Sequence, residues 1–181
     1  MKLDFRQVIM DDAGLLVDIY NASFFSDYQR FGSCPGYGKT IEMMEESIRL
    51  YPKHIILCDN KPVGCVSCHL NAPQEYEIGC LCVIPEYQGK GIGTQAIHFV
   101  RNYYDDWKRL SLVTPLYKHE NVRFYRNSFM VCITLQDSCS FGFFAFCLFF
   151  FTNRVMPWAV VSLRVKWTGK YLWAPVPRSS A

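Results

Sequence analysis

Residues Val83-Ile-Pro-Glu-Tyr-Gln-Gly-Lys-Gly-Ile-Gly-Thr-Gln-Ala-Ile97 lead from an apolar strand-like run into a helical pattern through a turn with glycine at 89, 91 and 93. No other stretch constrains the fold as much, because it needs a strand that ends facing the start of a helix. Gly91 and Gly93 lack a Cβ, so the backbone there can take positive φ and come close to a ligand, while the N–H groups of residues 89 to 94 converge. The helix adds the positive end of its dipole at the same point. The turn therefore reads as an anion-binding site.

Nucleotide sites use the same physics, so the flanking residues must discriminate. Gly91-Ile-Gly93-Thr-Gln-Ala96 meets only the alanine variant of the dinucleotide fingerprint, and no carboxylate stands about 20 residues on, near Val113, to hold a ribose. Lys90 is followed by Gly91 rather than Ser or Thr, so the turn does not close as a P-loop. The net charge of +3 and the lack of a basic stripe with interleaved aromatics give no case for nucleic acid.

The rest of the pattern describes a mixed chain. Leu3 to Val8 is predicted as a strand and Asp11 to Tyr20 as a helix with acidic residues in its first turn. Asn21 to Lys39 reads as a loop or broken helix rich in aromatic, serine and glycine residues, and Thr40 to Leu50 as a helix with Ile41, Met44 and Ile48 on its apolar side. Strands follow at His54 to Cys58 and Pro62 to His69, joined by a hairpin turn at Asp59-Asn-Lys61, and then at Glu75 to Ile84. The helix Gly91 to Asp105 carries Ile92, Ala96, Ile97, Phe99 and Val100 as its buried stripe, and Leu110 to Thr114 is the next strand, broken by Pro115. An α/β (α+β) fold with a mostly antiparallel sheet and crossing helices fits this order.

Nine cysteines raise the question of zinc or disulfides. Cys65 and Cys68 fall on opposite faces of a strand and Cys80 and Cys82 on one face, with no second paired cluster at histidine spacing, so buried thiols and no metal are expected. Met1 to Asp12 carries five charged residues and no apolar core run, which does not read as a secretory signal; the expected setting is cytoplasmic.

Gln88-x-x-Gly91-x-Gly93, after a strand ending Val83-x-Pro85, resembles the acetyl-CoA signature of the GNAT N-acetyltransferase superfamily. Asn121-Val-Arg-Phe-Tyr125 resembles the family helix that ends in Phe-Tyr. The resemblance spans about residues 3 to 127 and implies a GNAT-like central sheet flanked by helices. It implies acetyl-CoA as cosubstrate and acetyl transfer to a primary amine of a small molecule or peptide, by direct attack in a ternary complex.

Residue roles follow from the same resemblance. Gln88, Gly89, Lys90, Gly91, Ile92, Gly93 and Thr94 would hold the pyrophosphate, mostly through backbone N–H groups. The backbone of Leu81, Cys82 and Val83 would pair with the pantetheine arm as an added strand. Tyr125 would protonate the departing thiolate, Asn121 would bond to cofactor or backbone, and Phe124 would pack. Glu77, eleven residues before Gln88, is the candidate general base, sharing a strand face with Gly79, Leu81 and Val83; a water relay is the alternative. Tyr20, Asn21, Tyr28, Phe31 and Tyr37 are candidates for an acceptor pocket, or equally for core. A homodimer is among the assemblies the sequence allows.

Past Asn127 the chain departs from the family. Ser128-Phe129 stands where a Gly-Phe is expected, and residues 128–181 hold one acidic residue, Asp137, against fifteen before it, with three of the four tryptophans. This divides the chain into an acetyltransferase part, 1–127, and an aromatic-rich tail, 128–181. Three readings of the tail stand. The apolar run Cys139 to Phe151 could anchor a membrane, though it is short of the roughly 20 residues a span needs. The alternating Val161-Ser-Leu-Arg-Val-Lys-Trp167 could supply a strand, with Thr168-Gly-Lys170 turning it into Tyr171-Leu-Trp173. Or the tail is an altered reading frame fused to a truncated acetyltransferase, leaving an unpaired sheet edge near Tyr125 and a remnant that binds CoA without turnover.

Overall fold

The computed structural model describes residues 1–115, 118–128, 132–136 and 160–166. Among these, seven strands form one sheet in the order β1-β2-β3-β4-β5-β7-β6, with ranges β1 Leu3–Gln7, β2 Lys53–Cys58, β3 Lys61–Ala72, β4 Glu75–Val83, β5 Arg109–Pro115, β6 Cys132–Gln136 and β7 Val160–Lys166. Every neighbouring pair is antiparallel except β4 with β5, which run parallel. Four α-helices accompany the sheet: α1 Ala13–Phe31, α2 Ile41–Leu50, α3 Ile92–Tyr103 and α4 His119–Ser128.

The β2–β3 hairpin turns where the sequence predicts, with Asp59 and Asn60 both at positive φ, as a tight hairpin of right-twisted strands requires. The first helix is longer than expected. A short 3-10 turn, Met10–Asp12, precedes α1, which continues through Asn21 to Phe31 and stops at Gly32, whose φ of 72° is the left-handed stop that glycine takes without strain. Asp12 anchors the helix start to β1 through a bidentate pair with Arg6, at 2.7 and 2.9 Å. The guanidinium holds the Asp12 carboxyl below its ordinary value.

Two apolar layers sandwich the sheet. Leu16, Ile19, Tyr20, Met44 and Ile55 form one under α1 and α2, joined by Cys65 and Cys82, with Cys80 against it. Val66, Cys68, Ile78, Ile97, Val100, Leu110 and Leu112 build another with α3, which Tyr125 of α4 joins. Cys65 and Cys68 thus belong to opposite layers and Cys80 and Cys82 to one, as their spacing implies. Fully burying a side chain such as Leu16, Ile55 or Ile97 contributes about 1.5–3 kcal/mol. The predicted stripe of α3 is buried at Ile92, Ala96, Ile97 and Val100, with Phe99 partly so and stacked on Phe5 at 4.3 Å.

Beyond residue 127 the outcome is mixed. The alternating run near Val161 is a strand, β7, and it pairs with β5 from Arg109↔Lys166 to Pro115↔Val160. The edge of β5 is therefore covered, contrary to the open edge expected of a truncated chain. Residues 132–136, which no sequence signal marked, form β6 against β7; Cys132-Ile-Thr-Leu-Gln136 does alternate, but over only five residues. The Phe-rich run 141–151 and the predicted Tyr171–Trp173 strand lie outside the described residues.

Candidate active site

The glycine turn is pinned before it reaches its helix. Pro85–Tyr87 form a 3-10 turn, and the Gln88 side-chain Nε2 donates to the Val83 carbonyl at 2.8 Å, tying the loop back to the end of β4. Positive φ occurs at Gly89 (72°) and Gly91 (77°), not at Gly93. This corrects the expectation for Gly93. It lies inside α3, and a Cβ there would stand 3.0 Å from Phe124 Cζ, so its missing side chain admits the ring of α4 rather than a ligand.

Gly91 is the N-cap of α3, and its carbonyl accepts the first helical bond, from Gln95 N–H at 3.1 Å. The N–H groups of Ile92, Gly93 and Thr94 therefore have no acceptor within the helix. In α2 the equivalent need is met by Thr40, whose Oγ1 accepts from Met43 N–H at 3.3 Å. A glycine cap leaves the α3 donors unclaimed by any side chain. Lys90 Nζ sits over the Tyr87 ring at 4.8 Å, placing a cation on the same loop.

From this turn a gap runs back into the sheet. β4 and β5 pair only from Glu75↔Arg109 to Ile78↔Leu112; beyond that point β4 continues to Val83, while Val113 to Pro115 of β5 pair with β7 alone. The strands splay, and the β5-facing backbone edge of Gly79 to Val83 has no strand partner among the described residues. A bulge opens the splay: Ser67 faces Cys80 and Cys68 faces Ile78, leaving Gly79 unpaired. The extra residue flips the alternation. Tyr76, Ile78 and Leu81 lie in the layer under α3, and Cys80 and Cys82 in the layer under α1. Glu77 consequently shares its face with Cys80 and Cys82, not with Leu81 and Val83 as a regular strand would have it. An isolated glycine within a strand pattern is the signal for such a bulge, and Gly79 carried it.

Tyr125, on α4, is buried in the layer under α3, and burial pushes its phenol well above the ordinary tyrosine value. A phenol so disposed is held protonated. Asn121 Nδ2 donates to Thr114 Oγ1 at 3.3 Å and so fixes α4 against the end of β5. An ion pair from Lys118 to Asp27, both largely buried, ties the start of α4 to α1. Sequence reasoning missed this pair, whose members lie 91 residues apart. Glu77 is partly exposed, and its carboxylate accepts from Asn71 Nδ2 at 2.8 Å.

The acceptor-side candidates divide. Tyr20 is core, packed with Leu16 and Met44. Asn21 Oδ1 accepts from Gly38 N–H at 2.9 Å and so holds the loop after α1. Tyr28 and Tyr37 stack at 4.5 Å, with Phe25 tilted against Tyr37 at 5.7 Å, forming an aromatic group between helix and loop. Phe31 lies under Arg30 at 5.0 Å.

Residues 17–129 match the family model described as Acetyltransferase (GNAT) family. The chain is a GNAT acetyltransferase. Similar folds include an acetyltransferase from Thermus thermophilus at TM-score 0.71 and 16% identity, covering 92% of this chain and 98% of that one. The PaiA N-acetyltransferase from Thermoplasma acidophilum, solved in complex with coenzyme A, aligns at TM-score 0.66 and 14% identity over 92% and 100% of the two chains. A spermidine N-acetyltransferase SpeG chimera from Vibrio cholerae and hSSAT aligns at 0.66 and 13%, over 92% and 96%. No curated protein sequence matches the chain.

In this GNAT acetyltransferase the face under α1 is also the most perturbed electrostatically. The Cys80 thiol is pushed down to about 7, first by its hydrogen bond with Cys82 and, against burial, by the Tyr20 hydroxyl and the Lys53 charge. Burial lowers Lys53 below the ordinary lysine value. Among the described residues no group of three or more His, Cys, Asp or Glu side chains is placed to hold a metal ion, and no helix is long and apolar enough to cross a membrane.

Proposed function

We propose that this acetyltransferase moves the acetyl group of acetyl-CoA to a primary amine of a small molecule or peptide, with both substrates bound at once. One observation carries the reading. The unclaimed N–H donors at the start of α3 adjoin the unpartnered edge of β4, and Tyr125 lies in the same apolar layer as Leu81 of that edge.

Each residue then has a task. The N–H groups of residues 89 to 94 bind the pyrophosphate, with Gln88 holding the loop against Val83 and Lys90 adding charge. The backbone of Leu81, Cys82 and Val83 bonds to the pantetheine amides as a neighbouring strand would. Acetyl-CoA supplies an activated carbonyl and a thiolate leaving group. Tyr125, a phenol that carries its proton at neutral pH, gives that thiolate a proton. Asn121 and Thr114 keep α4 in place for this. Glu77, with its carboxylate set by Asn71, stands on the face where the amine enters, and the Tyr28–Tyr37 stack is the aromatic wall of the acceptor side. A cytoplasmic setting belongs to the same reading, which the free thiols accord with.

Isothermal titration of acetyl-CoA into the full chain tests the cofactor part, with micromolar binding expected. Turnover is then sought across amines that include spermidine, the substrate named for one similar structure. A folded, soluble chain that does not bind acetyl-CoA would end this proposal.

A further inference from the structure

Ser67 and His69 of β3 and Glu77 of β4 converge on the bulge at Gly79. His69 pairs in register with Glu77, and its ring stands edge-on to Tyr51 at 5.1 Å. A Cβ added at Gly79 would lie 3.7 Å from His69 Nδ1 and 3.3 Å from Ser67 Oγ. The ring therefore borders the unpaired residue at which β4 parts from β5. Gly79 is exposed and has no side chain to screen the ring.

His69 Nδ1 is buried and has no hydrogen-bond partner. A neutral imidazole offers one donor nitrogen and one acceptor, and leaving a buried polar atom unpaired is costly. Glu77, by contrast, already accepts from Asn71. The titratable groups around the ring are Glu77 from β4 and Tyr51 at the end of α2, with Lys53 of β2 over the Tyr51 ring at 5.6 Å. Of these, His69 has unused proton-accepting capacity at the head of the splay, and imidazole is the side chain that exchanges protons near neutral pH.

We infer that the His69 imidazole, rather than Glu77, accepts the proton of the incoming amine at Nε2, the nitrogen that is not buried, with Tyr51 fixing the ring beside the Gly79 bulge. The inference rests on the acetyl-transfer reading above. The protons balance as follows. The substrate ammonium gives one proton to His69 Nε2, and the partly exposed ring passes it to water. The free amine forms the C–N bond as the C–S bond breaks. The second nitrogen proton balances the one Tyr125 gives to the departing thiolate. The sum is one amide, one thiol and one proton released.

The test uses the full chain with spermidine and tyramine as probe amines. His69→Gln is expected to lower kcat/KM about 100-fold at pH 7 and remove the acidic limb of the pH profile, with acetyl-CoA affinity unchanged within about twofold. His69→Ala should regain part of the rate in free imidazole, which a packing role would not predict. His69→Gln that keeps both rate and acidic limb, or Glu77→Gln that alone removes the limb, overturns the inference. If the variants do not fold or neither probe turns over, the wild-type chain decides: the His69 Cε1–H resonance should move when acetyl-CoA is added. An unmoved resonance with acetyl-CoA bound rejects His69 alone. Failure of the wild type to bind acetyl-CoA rejects the acetyl-transfer reading beneath it.

Discussion

The two ends of the β4–β5 splay are built by different means. At the α3 end the site is made of backbone: two glycines at positive φ, a glycine cap and three free N–H groups. At the Gly79 end the surroundings are side chains, Glu77 on β4, His69 on β3 and Tyr51 after α2, set by a bulge, with Tyr125 of α4 in the apolar layer on the other face of the sheet. A backbone site depends on where side chains are missing; a side-chain site depends on long-range packing. The two should respond differently to substitution.

The largest expected effect is at the side-chain end. On the proposed mechanism Tyr125→Phe removes the proton for the thiolate and should lower kcat by about 100-fold while leaving the acetyl-CoA Kd nearly unchanged. Steady-state rates beside calorimetric affinity separate the two quantities. At the backbone end the pattern reverses: Gly91→Val forces a β-branched residue to a φ of 77°, and as the free turn relaxes from that conformation it should weaken acetyl-CoA binding by up to the roughly 1–2 kcal/mol that left-handed backbone costs. An unchanged Kd for this variant would mean that the turn does not bind the cofactor as described.

Gly93→Ala sharpens the contrast, because this glycine offers its N–H to the turn while its missing side chain serves the packing of α4. Its Cβ would press on Phe124 and should cost about 1–3 kcal/mol of stability by denaturant melt, with affinity falling only as far as α4 shifts. The smallest effect is a pH term. Burial lowers His54, between Phe99 and Tyr103, below the ordinary imidazole value. The unfolded chain therefore binds this proton more readily. The contribution is fully present above about pH 6.5 and is lost as pH falls toward the folded value; His54→Gln should flatten that part of the stability curve.

Most of what the sequence disclosed is on the backbone side. Glycine spacing located the turn and Asp59-Asn60 located the hairpin, because each requirement is local. It misassigned Gly93, since a glycine needed for close helix packing and one needed for positive φ look alike in a run such as Gly89-Lys-Gly91-Ile-Gly93. On the other side the losses follow from distance. One extra residue at Gly79 reverses the faces of everything after it, so Glu77 could be named but not aimed. The Lys118–Asp27 pair and the Asn121–Thr114 tether join segments whose proximity no local pattern states. The extension of α1 through Asn21 to Phe31 was hidden by residues that favour loops in isolation and are held helical by packing of Tyr20 and Ser23 against the sheet.

The position of β7 bears on how the chain is made. β5 ends at Pro115, yet the strand that flanks it does not end until Lys166, about fifty residues later. On a ribosome adding about 5–20 residues per second, β5 waits roughly 3–10 s with its hydrogen-bonding edge bare after its own synthesis. Slow codons or scarce chaperone over that interval would lengthen the exposure of a strand whose neighbours are already in place. Recoverable yield in a cell would then vary with translation speed even where the finished enzyme is equally stable.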